Sequence, residues 1–96
     1  MRVIFLILFF NGSLLSAQQM VTLNGEISDA ANGESLIGAV VYIKQLGEGA
    51  VTNVYGFYSL SVPSGTYDVE FRYIGFNTQK RVLTLTDNTR LDIELV

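Results

Sequence analysis

The side chains that most often carry chemistry are absent from this chain or scattered along it. Histidine and cysteine are both missing, which removes the commonest nucleophile–base pairs and the usual zinc ligands. Ser59, Ser61 and Ser64 crowd one stretch, but no base stands near them to activate a hydroxyl. Asp68 and Glu70 alternate with Arg72, and Arg90 alternates with Asp92 and Glu94. A paired-carboxylate site needs two acids converging in a pocket; at a spacing of two, each set lies along a solvated strand face instead. Asp29, Asn32 and Glu34 stand close enough to suggest oxygen ligands for Ca²⁺. Their spacing departs from the EF-hand loop, and Asp and Asn are also turn formers in their own right. The expectation is a non-catalytic chain with no metal and no cofactor.

Aromatic residues are the remaining recognition chemistry. Of the five tyrosines, Tyr58, Tyr67 and Tyr73 fall in phase with aliphatic neighbours and are expected to pack inside rather than to stack on sugars. Tyr42 is out of phase with Val41 and Ile43, and Tyr55 sits in a turn. Together with Phe57 they form the candidate protein-contact set: Tyr42, Tyr55 and Phe57.

The elements that must position these groups are strands. Tyr58, Leu60 and Val62 share one face of a segment, and Tyr67, Val69, Phe71 and Tyr73 share one face of the next, across Pro63-Ser64-Gly65. Alternation at period two with one apolar face means a half-buried sheet. Such a face needs a second layer over it, so a small β-sandwich follows. Residues 56–74 are expected as a hairpin. Further strands are expected over 21–28, 39–43, 50–52, 77–85 and 90–95, with turns at 29–34, 45–49, 53–56, 75 and 86–89. Leu36 and Ile37 are both expected to tuck under the sheet. No segment sustains a 3.6-residue period, so helix is not expected.

The first residues read differently. Met1-Arg2 carries one positive charge, 3–10 is unbroken apolar sequence, and Ser16-Ala17 ends the segment in small residues. That is the layout of a secretory signal peptide (residues 1–17) cleaved after Ala17. The apolar run is shorter than the roughly 20 residues that a spanning helix needs. Removing 17 of the 96 residues leaves 79 (18–96), enough for a single domain. A domain that small has a modest core, and with no cysteine it has no disulfide to add. The formal charge of −3 becomes −4 without Arg2, and the basic residues are dispersed. Phosphate-backbone binding requires a basic stripe, so nucleic acid is not an expected partner.

The positions that define the strands also spell an ordered pattern. It runs Gly25-x-Ile27-x-Asp29, then Gly33-Glu34-x-Leu36-x-Gly38-Ala39-x-Val41-x-Ile43. It continues Thr52-Asn53-x-x-Gly56-x-Tyr58-x-Leu60-x-Val62-x-x-Gly65-x-Tyr67, and closes on Phe71-x-Tyr73-Ile74-Gly75-Phe76. This series resembles the carboxypeptidase-regulatory-like domain, an all-β, transthyretin-like (prealbumin-like) seven-stranded antiparallel sandwich. Directly after an exported leader, it is similar to the N-terminal extension of TonB-dependent outer-membrane receptors of the SusC/RagA type. Where that family usually has Asp after the Thr, this chain has Asn53, which makes the same turn bond without the charge. The resemblance implies a non-catalytic accessory domain, a fragment of a nutrient receptor, lying in the periplasm. Its partners would be the receptor's plug and barrel and inner-membrane energising proteins, with the membrane reached only through an attached barrel. Two alternatives stay open: the folding or regulatory domain of an exported zinc carboxypeptidase, and a free-standing secreted binding module.

Overall fold

The computed structural model describes residues 19–96; the expected leader, 1–17, lies outside them. Eight strands follow in order: β1 Met20–Asp29, β2 Val40–Ile43, β3 Glu48–Val51, β4 Phe57–Pro63, β5 Gly65–Arg72, β6 Gln79–Leu85, β7 Thr89–Arg90 and β8 Ile93–Leu95. They build two four-stranded sheets, one ordered β4-β1-β7 with β8 also on β1, the other β3-β2-β5-β6. No described residue is helical. The sandwich expected from alternation is therefore present, with three corrections.

The first concerns residues 56–74, expected as a hairpin. β4 pairs with β1, whereas β5 pairs with β2 and β6, so the two strands lie in different sheets. The chain crosses at Pro63-Ser64, and the two apolar faces meet across the core. Tyr58 on β4 approaches Phe71 on β5 edge-on, ring centroids 6.0 Å apart. The Tyr67 hydroxyl donates to the Pro63 carbonyl at 2.5 Å and braces the crossing. An arch and a hairpin show the same alternation, so the pattern alone does not separate them.

The second correction is the count and direction of the last strands. One last strand over 90–95 is expected in an antiparallel, seven-stranded sandwich; β7 and β8 are instead two short strands, both parallel to β1, which makes eight. The break falls at Leu91-Asp92, where the chain passes close over β1. The Leu91 carbonyl lies over Gly25, where any Cβ would overlap it. Leu91 N–H still reaches Asn24 O at 2.8 Å, and Glu26 N–H finds the Asp92 carboxylate at 2.9 Å in place of a backbone acceptor.

The third is Ile37, which is 52% exposed while Leu36 is buried. Leu36 N–H bonds to Ile27 O at 3.0 Å, fixing its side chain inward and turning the next residue out. Elsewhere the phase holds. Val21, Leu23 and Ile27 of β1 face Val41, Ile43, Val69 and Phe71 of the other sheet, all essentially inaccessible. Full burial of such a side chain contributes about 1.5–3 kcal/mol. On β6 the inward phase, opposite Val69 and Phe71, is occupied by Arg81 and Gln79. Inward-pointing polar groups of this kind protect an edge strand from pairing with other chains.

Candidate protein-contact surfaces

β1 rises from one pole of the sandwich to the other, and the registers place the remaining elements relative to it. Residues 30–39, 52–56 and 73–78 lie at the pole where β1 ends, and the links Ser64 and 86–88 lie where it begins. The two poles differ in chemistry. The first carries Ile37, Val54, Tyr55 and Ile74, each more than half exposed, with Val96 beside them. The second presents Ser64, Thr86, Asp87 and Asn88, with a single large apolar side chain of β1, Met20, exposed beside them. Scattered exposed apolar residues need no explanation, but several gathered on adjoining loops are unusual for a free surface.

Each of these loops is held by specific bonds. Thr52 is buried, donates to Leu36 O at 2.5 Å and accepts from Ala39 N–H at 2.9 Å, which ties 36–39 to the next loop. Gly38 N–H adds a bond to Thr52 O at 3.1 Å. The Asn53 side-chain oxygen accepts from the N–H groups of Tyr55 (2.9 Å) and Phe57 (3.1 Å), so Asn53 makes the turn bond expected of it. This turn leaves Val54 and Tyr55 at its tip, 66% and 69% exposed. In the third loop Phe76 N–H bonds to Tyr73 O, and the two rings meet at a tilt of 46°, centroids 5.7 Å apart, while packing against the core. Gly75, at φ 89°, closes that turn. Ile74, between two anchored aromatics, is left 90% exposed. A groove lined by Gly38, Val40, Arg72, Tyr73, Ile74 and Thr78 joins the third loop to the first.

The three residues singled out from the sequence do not share one surface. Tyr42 lies on the outer face of the β3-β2-β5-β6 sheet, between the buried Val41 and Ile43, with the Arg72 guanidinium 5.1 Å from its ring. Phe57 lies on the outer face of the other sheet, where Arg90 covers it at 5.5 Å. Tyr55 alone joins the apolar pole. Ile37, Val54 and Ile74 stand exposed at that pole although none belongs to the sequence-derived set. For Val54 and Ile74 the signal was legible, as large aliphatics in turns with Asn53, Gly56 and Gly75.

Asp29, Asn32, Glu70, Arg72, Arg90 and Asp92 all make structural bonds. Asp29 accepts from Ala31 N–H (2.8 Å) and Asn32 from Glu34 N–H (2.9 Å), so both act as turn formers. Among the described residues no three His, Cys, Asp or Glu side chains converge as a metal site. Arg72 pairs with Glu70 at 3.7 Å and Arg90 with Asp92 at 3.1 Å, all on outer faces. The hydrogen bond from Glu26 N–H holds the Asp92 carboxyl below the usual carboxylate range against the opposing effect of burial, with Arg90 aiding it. Burial, reinforced by Asp92, pushes the Tyr58 phenol well above its ordinary value, and its hydroxyl donates to Leu91 O at 2.6 Å.

Comparison with known proteins gives this arrangement a family. A chain of a type II cohesin–X–dockerin complex from Acetivibrio cellulolyticus superposes with a TM-score of 0.64 at 22% identity, over 76% of this chain and 52% of that one. A DUF3823 family protein from Bacteroides ovatus gives 0.64 at 20% identity, over 80% and 44%. These likenesses establish the fold. In sequence, TonB-dependent receptor P3 of Formosa agariphila is 28% identical over 78 residues, which are 81% of this chain but only 8% of the receptor. The model of the CarboxypepD_reg-like domain matches residues 23–96. On that match the chain belongs to the CarboxypepD_reg-like domain family.

Proposed function

We propose that this chain is an exported, non-catalytic accessory domain of a TonB-dependent outer-membrane receptor, working by protein contact in the periplasm. The observation that carries the reading is the alignment of 81% of the chain with a small part of one such receptor. The apolar pole supplies the contact surface. Ile37, Val54, Tyr55 and Ile74 project from loops that are already braced, so little conformational freedom is lost when a partner covers them. Val96 lies at the same pole, beside Asn77, whose N–H bonds to its carbonyl at 2.8 Å. Receptor sequence continuing from there would emerge against this surface.

Fractionation of the native envelope tests the reading, using an antibody raised against residues 19–96. The expected antigen is a much longer polypeptide in the outer membrane, encoded by plug and barrel sequence downstream of codon 96. A soluble periplasmic antigen no larger than this chain would contradict it. A metallopeptidase sequence downstream would replace it with the carboxypeptidase reading.

A further inference from the structure

The strands through which the chain enters and leaves the fold are neighbours, and they run the same way. β1 starts at one pole, and β8 ends at the other. Tension applied through the chain before Met20 and after Leu95 would pull β1 and β8 in opposite directions along their own axes. The bonds between them would then be loaded together, in shear, rather than opened one at a time from an end.

The rungs available to carry that load form a continuous row, despite the break between β7 and β8. Thr22 N–H bonds to the Asn88 side-chain oxygen at 2.9 Å, and Leu91 N–H to Asn24 O at 2.8 Å. Glu26 N–H bonds to the Asp92 carboxylate at 2.9 Å, and Ala30 N–H to Leu95 O at 2.9 Å. Backbone pairing fills in between, from Leu23↔Thr89 to Asp29↔Leu95. Two side chains, Asn88 and Asp92, thus supply acceptors where the ladder would lapse. Tyr58 on β4 adds a pin from the far side of β1 by donating to Leu91 O at 2.6 Å. That pin passes over Gly25, where no side chain intervenes. Ile93 and Leu95 are buried in the core, so sliding β8 along β1 would also drag both through close packing.

We infer that this arrangement is a mechanical clamp, and that the domain serves as a force-bearing link that transmits axial tension without unfolding. The clamp belongs to the domain itself and would act on any longer chain that carried it, so it stands or falls separately from the receptor reading. Its strength is a matter of unfolding rate under load rather than of equilibrium stability.

The absence of cysteine allows the test to be made with unique handles. In the chain from Gln18 onward, Gln19→Cys with Val96→Cys loads β1 against β8 in shear. Gln19→Cys with Ser64→Cys opens the same sandwich from its end, because Ser64 N–H bonds to Gln19 O where β4 and β1 meet. Optical-tweezer unfolding should need several-fold more force in the first geometry. Tyr58→Phe and Asp92→Ala should each lower the force in the first geometry and leave the second nearly unchanged. Equal forces in the two geometries would overturn the clamp. If either variant fails to fold, as read by circular dichroism, the comparison of geometries in the otherwise native chain still decides.

Discussion

Thr52 is the buried polar side chain among the described residues that links two loops of the apolar pole. Thr52→Val keeps its shape but strands the Ala39 amide and the Leu36 carbonyl. A loss of about 1–3 kcal/mol is expected, measurable as a lowered urea midpoint with an unchanged slope. Gly25→Ala drives a methyl into the Leu91 carbonyl, and overpacking of this kind costs about 1–3 kcal/mol or more. The titrating groups set a pH window. Asp92 is held below its ordinary range when folded, so its contribution is present above the unfolded carboxylate pKa and is lost as pH falls through the folded one. Tyr58 is raised, so its contribution is present below the unfolded phenol pKa of about 10 and is lost as pH climbs beyond it. Thermal midpoints should therefore be flat between these limits and fall on both sides. In Asp92→Asn, which keeps an acceptor for Glu26 N–H, the acid limb should be shallower.

At the scale of elements, the β4–β5 arch is the feature on which the two layers turn. Tyr67→Phe removes the bond to Pro63 O while keeping the ring, and about 1 kcal/mol should be lost. An unchanged denaturation midpoint would show that the brace is not needed. Strand positions were legible in the sequence because inward and outward residues alternate so cleanly along β1, β4 and β5. Pairing was not, because it depends on partners distant in the chain. Tyr58 and Phe71 obey one rule of phase whether their strands lie side by side or face to face. The parallel placing of β7 and β8 was equally hidden, since their partner, β1, lies at the other end of the described chain. In the candidate surface, Tyr55 was visible as an aromatic in a turn. Ile37 was not, because its exposure follows from the backbone bond of Leu36.

Across the described residues, one pole of the sandwich carries more exposed apolar side chains than the other, and the proposed contact uses that asymmetry. Side chains such as Ile74 and Val54 contribute little to folding because they are mostly exposed. Ile74→Asp with Val54→Asp should leave stability within about 0.5 kcal/mol while weakening contact with the rest of the receptor. The most direct measurement places a photo-crosslinking side chain at Ile74, and separately at Asn88, in the native full-length product within living cells. The account predicts defined protein adducts from position 74 and none from position 88. Adducts from position 88 with none from position 74 would contradict it.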